Sequence, residues 1–216
     1  MNAKSLTESI ERHDARITVI GQGYVGLPLA MEFARAGFRV TGLDTSHERV
    51  ESLNQGRSPI GDVPDEELQS MRRAGRYTAT ADFDVLADTQ VAIICVPTPL
   101  RKTKDPDISY VMAAAAEVAG RLHTGQLVVL ESTTYPGTTE EILLPMFSGE
   151  ESKVGEGFFL AFSPERIDPA NPKFKVKDIP KVVGGVTPEC SRLARRSGSA
   201  CSAHLAACAW GGRSMQ

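Results

Sequence analysis

Three glycines and one carboxylate carry the first chemistry that can be read from this chain. Gly21, Gly23 and Gly26 stand as G-x-G-x-x-G directly after the run Ile17-Thr-Val-Ile20, and Asp44 closes the next apolar run. Each position answers a physical demand. Gly21 permits a tight turn out of a strand, Gly23 lets backbone approach a pyrophosphate, and Gly26 lets the following helix pack close to the strand. The N–H groups and partial positive charge of that helix's N-terminus would receive the phosphates. A carboxylate at the end of the next strand, roughly 20 residues past the glycines, suits the ribose hydroxyls. Glycine clusters alone mark ordinary turns; strand before, helix after and acid beyond make this one a dinucleotide site. A carboxylate at Asp44 repels a 2′-phosphate, so NAD is expected over NADP, with Arg49 on the next helix as a mild counterweight.

The elements that must position these residues follow from periodicity. Strands are expected over Arg16–Ile20, Phe38–Leu43, Tyr77–Thr80, Val91–Val96, Leu127–Leu130 and Phe158–Phe162, with a short last one near Lys181–Val183. Between them, helices are expected over Val25–Ala36 (Pro28 in its first turn, Gly37 as its stop), from the Ser46 cap to Asn54, from Pro64 to Ala74, over Ile108–Leu122, and up to Phe147. The Gly-, Pro- and Ser-rich stretch Gln55–Asp65 reads as a surface loop. Strands alternating with helices specify right-handed parallel crossovers, hence an α/β fold: a doubly wound, mostly parallel Rossmann-type sheet.

In such sheets ligands bind beyond the carboxyl ends of the strands. The polar clusters Gly21–Gly26, Asp44, Pro97-Thr98-Pro99, Glu131–Thr134 and Ser163–Arg166 all fall there. Polar turns shaped by proline would account for any one of them; five on one edge form a site.

Composition narrows the classes. With 216 residues, 41% hydrophobic and 24% charged, the chain has globular values. A net charge of −3 gives no electrostatic case for nucleic acid or an anionic membrane, and no apolar run approaches the roughly 20 residues of a membrane span. Residues 1–14 lack the apolar core of a signal peptide and are expected to be a flexible leader, so a cytoplasmic protein is the default. Cys95, Cys190, Cys201 and Cys208 form no disulfide framework in a chain of this class. Cys201-x-x-His204-x-x-x-Cys208 lacks a fourth ligand at sensible spacing, so no metal site is expected.

Five stretches then occur in order: Gly21-Gln-Gly-Tyr-Val-Gly-Leu-Pro-Leu-Ala30, Val96-Pro-Thr-Pro99, Glu131-Ser-Thr-Thr-Tyr-Pro-Gly-Thr-Thr-Glu140, Ser163-Pro-Glu-Arg-Ile-Asp-Pro169 and Val182-Val-Gly-Gly185. Together they resemble the N-terminal, NAD-binding domain of the UDP-glucose/GDP-mannose dehydrogenase family, over roughly residues 15–190. The Ser-Pro-Glu-Arg form resembles the branch acting on UDP-N-acetylglucosamine and related N-acetylhexosamines. The resemblance implies a four-electron oxidation of the sugar C6 alcohol to a carboxylate, with two NAD molecules reduced in turn and a cysteine holding the intermediate as thiohemiacetal and then thioester. It implies that Gly21, Gly23, Tyr24, Val25 and Gly26 hold the pyrophosphate, that Asp44 and Arg49 contact the adenosine ribose, and that Thr98 and Thr133 border the nicotinamide half. Thr133 would also position a catalytic water, and Glu165 would assist proton transfer or thioester hydrolysis. Arg166 pairs either with a nearby acid or with substrate.

The chain also departs from that family. The long helix of the family homodimer, the UDP-binding domain and the catalytic cysteine loop are not recognisable here. Cys190 stands where the family places no nucleophile. Residues 191–216 carry four arginines, no acid and no sustained apolar period. They are expected to be a non-family tail, disordered or produced by a lost reading frame. Two readings therefore stand side by side: a UDP-sugar 6-dehydrogenase present as an N-terminal fragment without turnover of its own, and a non-catalytic NAD-binding or interaction module.

Overall fold

The computed structural model describes residues 2–101, 106–149, 152–164, 181–199 and 205–207. Six parallel strands form its centre: β1 (Arg16–Ile20), β2 (Arg39–Leu43), β3 (Tyr77–Thr80), β4 (Val91–Ile94), β5 (Leu127–Leu130) and β6 (Phe159–Phe162). β7 (Lys181–Gly185) joins antiparallel to β6, and the short β8 (Leu205–Ala207) pairs with β7. The spatial order is β3-β2-β1-β4-β5-β6-β7-β8. The chain thus winds outward from β1 to β3, then returns across β1 to begin β4. That reversal sets the topological switch point between β1 and β4.

Strands buried on both faces need helices on both faces, and every residue of β4 and β5 is buried. The helices are α1 (Ala3–Glu11), α2 (Gly26–Arg35), α3 (His47–Asn54), α4 (Asp65–Arg73), α5 (Ser109–Ala119), α6 (Leu144–Phe147) and α7 (Pro188–Ser199). One apolar cluster joins α1, α2, α3, α4 and α7 to one side of the sheet through Leu6, Leu27, Met31, Leu53, Leu68 and Leu193. A second joins α5, α6 and the 3-10 turn Phe83–Asp88 to the other side through Leu86, Val111, Ala115 and Phe147. Full burial of each large apolar side chain contributes about 1.5–3 kcal/mol. The mostly parallel, doubly wound sheet read from the sequence is the observed one.

The N-terminus departs from expectation. Residues 3–11 are not a flexible leader but α1, begun by a reciprocal cap in which Ser5 N–H donates to Asn2 Oδ1 at 2.9 Å and Asn2 N–H donates to Ser5 Oγ at 2.9 Å. Leu6 and Ile10, one helical turn apart, are 0% and 1% exposed. Their stripe packs in the cluster that contains α7, and Glu11 pairs with Arg196. Two apolar residues among polar ones make a stripe too narrow to stand out, yet wide enough to dock.

The boundary expected at Cys190 also moves. α7 continues to Ser199, and Cys190, Leu193, Ala194 and Ser197 are buried at helical spacing. The period is hidden in the sequence because small and polar residues occupy it. Between Gln55 and Asp65, Ile60 and Val63 are buried, so this stretch folds onto the domain instead of running over its surface. Cys201, His204 and Cys208 lie outside the described residues.

Candidate functional site

Strand-to-helix connections of β1, β2, β4 and β5 meet at the switch point and enclose a cleft of about 790 Å³. Gly21, Gly23, Tyr24, Val25, Asp44, Arg49, Thr98 and Thr133 all line it. Gly26 lies beneath them, buried. Glu165 and Arg166 fall outside the described residues, although Ser163, fully buried, marks where their connection leaves β6.

The glycine loop is shaped by close approach. Gly21 has φ +92°, and a Cβ there would lie 2.5 Å from the Cys95 carbonyl oxygen, at the end of β4. A Cβ on Gly26 would overlap the Gly21 carbonyl. Both positions therefore demand glycine for steric reasons within the fold. Gly23 differs: a Cβ there would meet nothing within 4 Å. Its space opens on the cleft, and nothing in the protein itself demands glycine at that position. Val25, the cap of α2, places no side chain on the helix terminus. Within the first turn the Leu27 N–H is taken by Gly23 O at 3.1 Å and Pro28 has no N–H, so the donors this terminus can offer a ligand are those of the loop just before it and of Gly26.

Asp44 ends β2 and is 6% exposed. Its Oδ2 accepts from the Gln22 N–H at 2.8 Å and from Arg49 Nη1 at 2.9 Å, and its Oδ1 accepts from the Ser46 N–H at 2.9 Å. Charge-assisted bonds of this kind fix the carboxylate as an acceptor. An ionised carboxylate offers about four lone-pair sites, so one remains for a hydroxyl, and two if Arg49 swings away. Arg49 is half-buried at the cleft wall, and Ser46 caps its helix as its spacing predicts.

A buried network behind this carboxylate is not announced by any sequence motif. Gln22, 0% exposed, donates from Nε2 to Val19 O at 2.8 Å and to Gly21 O at 3.3 Å, while its Oε1 accepts from the Tyr77 hydroxyl at 2.8 Å. Gly42 makes room: a Cβ there would fall 2.6 Å from Gln22 Oε1 and onto the Tyr77 oxygen. Burial, and then the nearby Asp44 charge, push the Tyr77 pKa up, so its hydroxyl stays a donor. Glycine inside a strand is the one available signal.

The far wall comes from the other face of the sheet. Phe83 from the 3-10 turn and Tyr110, Ala113, Ala114 and Glu117 from α5 face the glycine loop across the cleft. Ser132 Oγ donates to Val96 O at 3.0 Å, tying the connections after β4 and β5 together beside Thr98 and Thr133. Asp107 receives Arg101 Nη2 at 2.9 Å and the Ser109 N–H at 3.0 Å, and these partners hold its pKa down to about 2. That pair joins Arg101 to the residue two places before α5. No group of three or more His, Cys, Asp or Glu among the described residues is arranged to hold a metal ion.

An open position over Gly23, an uncapped helix terminus and a fixed carboxylate at the end of the neighbouring strand suit a dinucleotide: pyrophosphate on the first two, ribose on the third. Comparisons with known proteins agree. Residues 15–197 match the family model described as UDP-glucose/GDP-mannose dehydrogenase family, NAD binding domain. UDP-N-acetyl-D-glucosamine 6-dehydrogenase of Pseudomonas aeruginosa is 38% identical over 183 residues, which are 83% of this chain and 42% of that protein. UDP-N-acetyl-D-mannosamine dehydrogenase of Pyrococcus horikoshii is 35% identical over 182 residues, 84% of this chain and 43% of that one. Among solved structures, NDP-N-acetyl-D-galactosaminuronic acid dehydrogenase from Methanosarcina mazei superposes with a TM-score of 0.83 at 32% identity, covering 96% of this chain and 46% of that chain. The chain therefore spans less than half the length of these relatives. No helix among the described residues is long and apolar enough to cross a membrane.

Proposed function

The chain belongs to the UDP-glucose/GDP-mannose dehydrogenase family, whose NAD binding domain it carries over residues 15–197, and from that premise we propose that its cleft holds NAD for oxidation of a UDP-sugar at C6. The single observation that carries the reading is the union of the open glycine loop with Asp44 through the Gln22 N–H. The Ser163-Pro-Glu-Arg166 sequence and the names of the relatives favour a UDP-N-acetylhexosamine as substrate. The cytoplasm is the proposed compartment.

NAD, when bound, supplies the hydride acceptor. The residues of this chain do the rest. The backbone of Gly21, Gly23, Tyr24, Val25 and Gly26 takes the pyrophosphate at the start of α2. Asp44 accepts from the adenosine ribose, with Arg49 adjusting beside it. Thr98 and Thr133, at the ends of β4 and β5, border the nicotinamide half, and the Thr133 hydroxyl orients a water. Glu165 takes the proton-transfer role. The described cysteines, Cys95 and Cys190, are both buried; neither is proposed as the thiol of the two-step oxidation.

The test is to titrate the purified protein with NADH, then add NAD and UDP-N-acetylglucosamine while following absorbance at the NADH band. Saturable NADH binding is expected, and its absence would refute the cofactor assignment. NADH formed only when the UDP-sugar is present would support the proposed oxidation.

A further inference from the structure

Tyr77 lies on β3, outside the lining of the cleft and one strand beyond Asp44. Its hydroxyl nevertheless reaches the loop that forms the cleft. Tyr77 is 4% exposed and donates to Gln22 Oε1 at 2.8 Å, across 55 residues of sequence. The opposite end of that amide cannot turn around, because Nε2 is engaged by two carbonyl oxygens, Val19 O and Gly21 O. Gln22 is thus locked on both sides of its side chain, and the residue so locked presents its backbone N–H to Asp44 Oδ2 at 2.8 Å. β2 contributes the space, since Gly42 has no Cβ where the two side chains meet.

We propose that Tyr77 is a positioning residue for the cofactor site: through Gln22 it fixes both the turn of the glycine loop and the Asp44 carboxylate. The inference rests on the reading of the cleft as an NAD site. A hydroxyl buried on the outermost parallel strand otherwise carries a desolvation cost with no local return, and phenylalanine would fill the same volume without it. The hydrogen bond converts that cost into a fixed acceptor. Without it, Oε1 of Gln22 is a buried carbonyl lacking its donor, and the side chain that anchors this turn loses one of the bonds that hold the residue, and with it the backbone N–H, against Asp44.

Tyr77→Phe and Gly42→Ala break the same contact by different means, one by removing the oxygen and one by intruding between the partners. Phe147→Leu, in the apolar cluster on the other face of the sheet and outside the lining of the cleft, serves as a destabilised control. NADH and NADPH affinities are measured for each protein by titration, together with the exchange rate of the Gln22 amide proton in the ligand-free protein. Both network variants should bind NADH roughly tenfold more weakly, narrow the preference for NADH over NADPH, and exchange the Gln22 amide faster; Phe147→Leu should do none of these at a matched loss of thermal stability. Wild-type affinity and an unchanged Gln22 amide in Tyr77→Phe would overturn the proposal while leaving the NAD site intact. If the wild-type chain binds no NADH, the site reading fails and the proposal falls with it.

Discussion

The Gln22 N–H donates to Asp44 Oδ2 at 2.8 Å, so the turn after β1 and the end of β2 behave as one rigid piece. Glycine backbone and carboxylate are usually discussed as separate halves of a dinucleotide site. Here the residue between the first two glycines is the link, and any change to one half is felt by the other. The consequences are specific.

Removing the charge of Asp44 tests the acid end of that link. Asp44→Asn keeps the shape but gives up charge-assisted bonds to Gln22, Ser46 and Arg49. Hydrogen bonds to charged groups contribute about 1.5–3 kcal/mol. Calorimetric titration should show NADH affinity reduced by about tenfold or more, and NADPH affinity reduced less or improved. Equal losses for both cofactors would mean that Asp44 does not read the ribose.

The three glycines should separate into two kinds. Gly26→Ala forces an overlap with the Gly21 carbonyl, and Gly21→Ala combines φ +92° with a 2.5 Å approach to Cys95 O. Overpacking of this type costs about 1–3 kcal/mol or more. Both should lower the midpoint of chemical denaturation. Gly23→Ala meets nothing within 4 Å, so its stability should match wild type while NADH binding is lost. A stable Gly26→Ala or a binding-competent Gly23→Ala would break the distinction.

Helix α1 should be part of the folding unit. Leu6→Ala empties a site that is 0% exposed, and such truncations cost about 2–5 kcal/mol. Urea denaturation should register this loss. An unchanged midpoint would return residues 3–11 to the status of a loose leader.

Asp107 predicts an acid dependence of known sign. Its folded pKa, held down to about 2 chiefly by Arg101 and then by Ser109, lies below the ordinary value near 3.9. The contribution is therefore present above the unfolded value and lost as pH falls through about 2. The Ser109 amide resonance should titrate with a midpoint close to 2 in the wild type and not at all in Asp107→Asn. A midpoint near 4 would show that the Arg101 pair is absent in solution.

How much of this is legible in the sequence depends on how local the signal is. The β1–α2–β2 unit is legible, because Gly21, Gly23, Gly26 and Asp44 belong to one strand–helix–strand stretch and each residue type has few alternatives. The ends of β4 and β5 are legible for the same reason, as proline and hydroxyl clusters after doubly buried strands. α1 is not, since Leu6 and Ile10 are a stripe of two whose partner, α7, comes from the far end of the chain. The full length of α7 is obscured because Cys190, Ala194 and Ser197 are weakly apolar, leaving Leu193 alone to mark the period. The Tyr77–Gln22 contact has no local signature at all beyond the glycine at position 42, whose meaning appears once β2 and β3 are paired.

The most direct measurement is the structure of this protein crystallised with NAD. The account predicts the pyrophosphate over Gly23 at the start of α2, the adenosine ribose hydrogen-bonded to Asp44 with the Gln22 link intact, and the nicotinamide toward Thr98 and Thr133. Cofactor density elsewhere, or an adenosine ribose that leaves Asp44 untouched, would contradict it.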